Sequence, residues 1–212
     1  MDYTEFKNRL QNLPVIISKD LLNSKSKKQV MLNQLYRWQK RGLIVKLKRG
    51  LYLLNKNDRK VNSSRGFIAC QLYSPSYISL EYALNFYGFI PERVADVTSV
   101  TTKKTAHFEN ELGNFSYQHI KPQVFRGFQA VEDESGFTFF IADREKAIVD
   151  LFYLNLSKIP LGKKDLFEEY FRFQNTEKLK KRKIIEFAHL FNSNKLMRLV
   201  NIFCDFLKEE RR

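Results

Sequence analysis

The spacing of apolar residues predicts three helical segments at the start of the chain. They cover residues 4–12, 18–22 and 26–41, and the third ends at Gly42, a residue type that favours the end of a helix. The first two segments are short, whereas the third is long enough for about four turns. The pattern therefore predicts a small helical unit whose longest helix comes last.

The third segment is amphipathic. Ser26 and Gln29 have the spacing of a capping box, in which each side chain bonds the backbone amide of the other residue, so the helix should begin at Ser26. At 100° per residue, apolar side chains fall on one face and polar side chains on the opposite face. The two sets are Met31, Leu35 and Trp38, and Gln29, Asn33, Arg37 and Lys40. We expect the first face to pack and the second to stay exposed.

A basic hairpin is predicted next. Residues 43–54 have the pattern of two short strands hinged at Arg49 and Gly50, with cations near the tip. A helix, a short helix, a long amphipathic helix and a hairpin in this order are typical of a winged helix-turn-helix. In that architecture the third helix enters the major groove of DNA, and the hairpin approaches a groove lined by phosphates.

The remaining residues show a different arrangement. Helical spacing occurs at 64–73, 80–87, 144–156, 164–173, 176–191 and 193–208. Stretches rich in Val, Thr, Phe and Tyr, typical of strands, lie at 96–102, 114–120, 127–132 and 136–142. Because the helices group around the strands and do not alternate with them, the sequence predicts an α+β fold with a small antiparallel sheet.

A polar segment at residues 55–64 separates the two patterned regions. We place a domain boundary there, between a winged helix-turn-helix at residues 1–60 and an α+β domain at residues 61–212. Two units joined by a short hydrophilic connection are each expected to retain a core of their own.

The charge of the chain changes across this boundary. The 212 residues carry a formal net charge of +14. Residues 1–60 hold 15 lysines and arginines against 4 aspartates and glutamates, a net charge of +11, and residues 61–212 have a net charge of only +3. A charge of this sign and concentration favours a polyanionic partner, most often nucleic acid and less often an anionic membrane surface.

The basic region offers two kinds of candidate DNA contact. The side-chain amides of Gln29 and Asn33 have the donor and acceptor pair that matches an adenine edge, and Arg37 suits either guanine or a phosphate. Candidates for contacts to the phosphate backbone are Lys25, Lys27, Lys28, Lys46, Lys48 and Arg49. Two alternatives remain open. The first is that these are ordinary solvated side chains, and the second is that the unit docks a protein, a role that winged helices also serve.

The sequence contains few residues in patterns typical of catalysis. Cys70 and Cys204 are far apart, the three histidines are isolated, and no glycine-rich phosphate loop occurs, so no disulfide framework, metal site or nucleotide cofactor is predicted. The chain begins without a secretory signal and lacks an apolar run long enough for a membrane span. We therefore expect a cytoplasmic protein with no membrane partner.

One acidic cluster has a possible catalytic interpretation. Asp143, Glu145 and Lys146 are residue types that metal-dependent nucleases gather around one ion. Adjacent residues on a strand point to opposite faces, however, which argues against that arrangement. The simpler interpretation is a helix N-terminus enriched in acidic residues.

An ordered series of short motifs resembles the AbiEi family of antitoxins. The motifs are Arg-Gly-x-Tyr at 49–52, Ser-Tyr-Ile-Ser-Leu at 76–80, Gly-Phe-Ile-Pro-Glu at 88–92 and Glu-Lys-Ala at 145–147. The first occurs in many winged helices, whereas the series of the other three is more specific. The resemblance covers about residues 1–155, and residues 156–212 match no pattern that we can name.

The resemblance implies a type IV toxin–antitoxin system linked to abortive phage infection. In such systems the N-terminal winged helix represses the shared promoter at inverted repeats in double-stranded DNA. The C-terminal domain counteracts a nucleotidyltransferase-like toxin, and no stable complex with the toxin is required. The resemblance implies neither a catalytic role nor a cofactor.

Two other functions compete with this hypothesis. The first is a nucleic-acid-processing enzyme that uses Asp143 and Glu145 with a divalent metal. The second is a stand-alone transcriptional regulator whose C-terminal domain senses a ligand.

Overall fold

The N-terminal part of the chain consists of two helices and a narrow sheet. Helix α1 (Tyr3–Leu10), strand β1 (Ile16–Ile17), a 3-10 turn (Ser18–Leu21), helix α2 (Lys25–Lys40) and strands β2 (Ile44–Lys48) and β3 (Leu51–Leu54) follow in order. The three strands pair antiparallel in the spatial order β1-β3-β2. The computed structural model describes residues 2–21, 25–159 and 166–209. Within residues 1–60 it confirms the predicted elements to within two residues, except that the second helix is a single 3-10 turn and that the pattern did not predict β1.

Helix α2 begins and ends at defined residues. It begins at Lys25, and the side-chain amide of Gln29 donates to Oδ1 of Asn33 at 3.0 Å. The Ser26 side chain, which is half of the predicted capping box, lies outside the described part of the structure, and the Gln29 side chain bonds one turn further along the helix. At the other end Gly42 has a φ of +69°, and the amide of Leu43 donates to the carbonyl of Trp38. This is the Schellman arrangement that glycine favours.

A small core lies between these helices and one face of the sheet. It contains Phe6, Leu10, Ile16, Leu35, Trp38, Ile44, Tyr52 and Leu54. The rings of Phe6 and Trp38 lie 4.5 Å apart between their centroids, so α1 packs directly on the apolar face of α2.

The rest of the chain builds a second, larger layer structure. Its helices are α3 (Arg65–Leu72), α4 (Leu80–Phe86), α5 (Arg144–Asn155), α6 (Lys181–His189) and α7 (Asn194–Glu209). Its strands are β4 (Ser76–Ile78), β5 (Val97–Thr101), β6 (Ala106–Asn110), β7 (Gly113–His119), β8 (Phe128–Glu132) and β9 (Thr138–Ala142). The α+β class is thereby confirmed. No helix in the described ranges is both long enough and apolar enough to cross a membrane.

The larger sheet corrects the prediction of a small antiparallel one. It has six strands in the order β6-β7-β5-β4-β9-β8, and the pairs β5/β7 and β4/β9 are parallel. The sequence pattern missed β4 because all three of its residues are buried and show no alternation. Its parallel partner β9 lies about sixty residues further along the chain, where local spacing carries no information about pairing.

The hairpin formed by β2 and β3 contributes to both cores. Ile44, Tyr52 and Leu54 belong to the small core, and the side chains on the opposite face enter the large one. Those opposite side chains are Val45, Leu47, Leu51 and Leu53. The hairpin is therefore a shared wall, buried on both faces except near its tip.

The polar segment between the two regions is bonded to both of them. The Ser63 hydroxyl donates to the carbonyl of Pro14 at 3.1 Å, and the Ser64 amide donates to the carboxylate of Asp133 at 2.8 Å. The hydroxyl of Ser135 donates to the carbonyl of Asn62 at 2.7 Å. The proposed boundary near residue 60 stays a prediction, and the chain crosses it as an ordered, hydrogen-bonded connection.

Candidate nucleic-acid interface

The two faces of α2 have the environments that the sequence pattern predicts. Leu35 and Trp38 are buried, at 0% and 6% exposure. The polar side chains of the opposite face, Gln29, Asn33, Arg37 and Lys40, are all exposed. This face lies on the side of α2 away from α1 and the small sheet, so packing leaves it accessible to a partner.

Sequence reasoning missed two apolar side chains on the same exposed surface. Val30 is 59% exposed and Tyr36 is 60% exposed, and the ammonium group of Lys40 lies 5.7 Å from the centre of the Tyr36 ring. At 100° per residue, Val30 falls within about 20° of Arg37, and Tyr36 within about 20° of Gln29. The signal was therefore present, because large apolar residues interrupt an otherwise polar face.

The bonded pair of amides on this surface is held in one arrangement. The Gln29 amide donates to Asn33, so the two side chains present a connected polar edge one turn long. Within the described residues, neither the amide nitrogen of Asn33 nor the amide oxygen of Gln29 has a partner. A base edge in the major groove offers complementary groups to such atoms.

The predicted phosphate contacts fall into two groups. Lys46 and Arg49 are exposed, as is Arg37 on α2. Within the described part of the chain, none of these three side chains forms an ion pair with a carboxylate. Lys48 is half-buried instead, and its ammonium group donates to the carbonyl of Leu72 in the larger region. Burial, together with the charge of Lys103, lowers the pKa of Lys48.

A break in the strand pairing explains why Lys48 differs from Lys46. Lys46 lies opposite Tyr52 and Lys48 lies opposite Leu51, so β2 has one residue more than β3 over this interval. Such a bulge turns the following side chain to the other face of the strand. Lys48 is thereby directed away from α2, a change that the alternation of the sequence could not reveal.

Three further candidates lie at the start of α2. Lys25, Lys27 and Lys28 belong to its first turn, but their side chains lie outside the described part of the structure.

An open cleft connects α2 with the tip of the hairpin. Its volume is about 530 Å³, and Lys19, Leu32, Arg49 and Gln71 are among the residues that line it. The amide of Ser18 donates to the carbonyl of Gly50 at 2.9 Å, which ties the hairpin tip to the 3-10 turn. Leu32 of α2 and the hairpin cations Lys48 and Arg49 therefore border one concave surface.

The acidic cluster considered for metal-dependent chemistry is divided among different neighbours. Asp143 precedes α5 without a capping bond, and the carboxylate of Glu145 accepts the Lys180 amide at 3.0 Å. Lys146 is fully buried and bonds Asp150. Among the described residues, no three His, Cys, Asp or Glu side chains are arranged to hold a metal ion.

Residues from two of the motifs behind the family resemblance meet in the interior. Tyr77, from the first of the longer motifs, accepts a bond from Lys146, which belongs to the last one, and the hydroxyls of Tyr77 and Ser79 both donate to Asp150. These residues are buried in the interior of the larger region, so these two motifs have a structural explanation. Comparison with protein-family models and with curated proteins found no match to this chain.

Proposed function

We propose that the protein is a sequence-specific DNA-binding regulator of the winged helix-turn-helix type. The observation that carries this proposal is the exposed face of α2, where two amides, an arginine and an apolar side chain lie next to cations without carboxylate partners in the described structure. Amides and arginine are the groups that recognise base edges, and an apolar side chain suits a thymine methyl group.

The dimensions of α2 support insertion into the major groove. Its 16 residues span about 24 Å, and the B-DNA major groove is about 12 Å wide, so two to three turns can follow the groove floor. Packing of Leu35 and Trp38 on α1 fixes the orientation of the helix. The polar face is thus presented on a rigid support, as recognition of a base sequence requires.

The cations near the hairpin tip supply the second part of the proposal. Lys46 and Arg49 would contact phosphates and set the register of α2 on the duplex. With the neighbouring lysines at the start of α2, about five phosphates would be neutralised, which gives a slope of log K against log salt between about −4 and −5.

We further propose that this regulator is an AbiEi-type antitoxin that represses its own promoter and counteracts a nucleotidyltransferase-like toxin. The motifs at residues 76–80, 88–92 and 145–147 support this role through their resemblance to the family. The operator would be an inverted repeat, and residues 61–212 would carry the antagonism without a stable complex with the toxin.

Arg37→Ala tests the proposed DNA contact. We expect the full-length variant to lose about 5- to 150-fold in its preference for a selected operator over random DNA, because a base contact of this kind contributes about 1–3 kcal/mol. Fluorescence anisotropy on both duplexes measures the effect. Arg182→Ala is the matched control, because Arg182 is also an exposed helical arginine and lies on α6.

Equal loss on both duplexes for Arg37→Ala would contradict base recognition by α2. If the unaltered protein binds neither duplex, DNA binding itself is refuted.

Rescue of cells that express the toxin gene neighbouring this one tests the antitoxin role. Full-length protein should restore growth, and Arg37→Ala should restore growth while no longer repressing the promoter. Failure of the folded full-length protein to protect cells would refute the antitoxin role and leave the DNA-binding proposal unaffected.

A further inference from the structure

The half-buried position of Lys48 leads to a second basic surface, which belongs to the larger region. Besides its bond to the carbonyl of Leu72, the Lys48 ammonium group lies 6.0 Å from the centre of the Phe108 ring on β6. The side-chain amide of Asn110 donates to the carbonyl of Leu47 at 3.3 Å. Strand β6 therefore lies directly beside β2, and its first residues lie close to the hairpin tip.

The turn that enters β6 carries two exposed lysines, Lys103 and Lys104. The Lys103 ammonium group lies 5.3 Å from the centre of the Tyr73 ring, and that ring lies 5.7 Å from the ring of Phe108. Lys48 and Lys103 thus lie against neighbouring members of one aromatic pair. Two regions far apart in sequence contribute cations to one patch.

Hydrogen bonds hold this turn in a defined position. The hydroxyl of Tyr73 donates to the carbonyl of Lys104 at 3.1 Å, and the imidazole Nδ1 of His119 bonds the carbonyl of Lys103 at 2.9 Å. The amide of Lys103 donates to the hydroxyl of Thr101 at 3.1 Å. The backbone of the turn is therefore fixed, and the lysine side chains extend from a rigid base.

The patch has an excess of positive charge. Within the residues that the structure describes, Lys48, Lys103 and Lys104 form no ion pair with a carboxylate. Like charges held close together destabilise each other unless an anion lies between them. The patch is also continuous with the cleft below the hairpin tip, because Gln71 lines that cleft and the next residue, Leu72, accepts the bond from Lys48.

We propose that Lys103 and Lys104, together with Lys48, bind the phosphate backbone of duplex DNA beyond the hairpin tip. The inference rests on the proposed DNA-binding function and extends its surface into the region that the sequence treats as nearly neutral. The ligand is a phosphodiester backbone, and the contact carries no base preference. Together with Arg49, the turn lengthens the DNA segment that one protein molecule covers.

The double variant Lys103→Gln/Lys104→Gln tests this surface in the full-length protein. Affinity should fall by the same factor for operator and random DNA, and the slope of log K against log salt should become less steep by about 1 for each lysine removed. Lys183→Gln/Lys195→Gln is the matched control, because it removes two exposed lysines from α6 and α7. Hydroxyl-radical footprinting should show a shorter protected segment for the first variant only.

The outcomes separate this inference from the function on which it rests. If Arg37→Ala reduces discrimination while the Lys103/Lys104 variant keeps the slope and the footprint of the unaltered protein, the added surface is refuted and DNA binding by α2 stands. An identical change of slope in the control variant would also refute it, because net charge alone would then explain the effect. No binding of DNA by the unaltered protein would refute both proposals.

Discussion

Polar side chains form two clusters in this molecule, and the two have opposite environments. The exposed face of α2 keeps donors and acceptors that the described residues leave without partners. In the larger region, Tyr77, Ser79, Lys146 and Asp150 form a cluster in which every member is fully buried.

The buried cluster satisfies its own members. The Lys146 ammonium group donates to the Tyr77 hydroxyl at 2.8 Å and also bonds Asp150. The hydroxyls of Tyr77 and Ser79 each donate to Asp150 Oδ2 at 2.9 Å. Because these bonds link β4, the start of α4 and helix α5, the cluster positions three elements. Polar groups that are paired inside specify the fold, whereas unpaired groups outside are available to a ligand.

The largest expected effect comes from breaking the buried pair. Lys146→Met should lower the free energy of unfolding by about 3–5 kcal/mol, because it leaves the Asp150 carboxylate buried without its cation. Urea denaturation of the full-length protein measures the change. The double variant Lys146→Met/Asp150→Leu should recover part of the loss, since no buried charge then remains. A loss below about 1 kcal/mol in the single variant would contradict the structural role of the cluster.

The dependence of stability on alkaline pH tests the burial of tyrosine hydroxyls in the larger region. Burial, with the nearby Asp150 charge, raises the pKa of Tyr77, and burial raises that of Tyr117. Above pH 10 the unfolded chain releases these protons and the native state retains them, so stability present at neutral pH is lost as the pH rises. The free energy of unfolding should fall by about 1.4 kcal/mol per pH unit for each tyrosine.

Urea denaturation at several values between pH 9 and about 11 measures this slope. Tyr117→Phe is the informative variant, because above pH 10 it should reduce the slope by about 1.4 kcal/mol per pH unit, the contribution of one tyrosine. A stability that does not change over this interval would show that the native tyrosines ionise as readily as those of the unfolded chain.

The smallest expected effect comes from Val30 on the exposed face of α2. Val30→Ala should weaken operator binding by about 0.5–1 kcal/mol without lowering the free energy of unfolding, because the Val30 side chain is mostly in solvent and alanine is the better helix former. Binding to operators with single thymine-to-uracil replacements locates the contact. One replacement should weaken operator binding by the unaltered protein and have no effect on binding by the variant. Equal sensitivity of both proteins at every thymine would contradict the contact.

The sequence predicted the exposed cluster better than the buried one, for a physical reason. The faces of α2 follow from a period of 3.6 residues, and every residue that defines them lies within one helix. The buried cluster joins Tyr77 to Lys146 across 69 positions, so no local pattern contains it. In the sequence its residues belong to separate motifs. The metal-site hypothesis concerns Asp143 and Glu145, which lie close to Lys146 in the sequence but are not members of the cluster.

The hairpin carries two local signals in its sequence, an apolar run and basic residues near its tip. The run Leu51–Leu54 is apolar at all four positions, a pattern typical of a strand that is buried on both faces. The cations at the hairpin tip predict only a wing that approaches DNA. The structure leaves Lys46 and Arg49 exposed there and directs Lys48 toward the larger region.

The shared hairpin also determines how the molecule unfolds. Four of its side chains complete the large core, and burial of such aliphatic groups contributes about 1.5–3 kcal/mol each as an upper estimate. If the first sixty residues unfold, the large core loses these contacts at the same time. The two regions are therefore coupled by several kcal/mol, and calorimetry of the intact chain should record one cooperative transition.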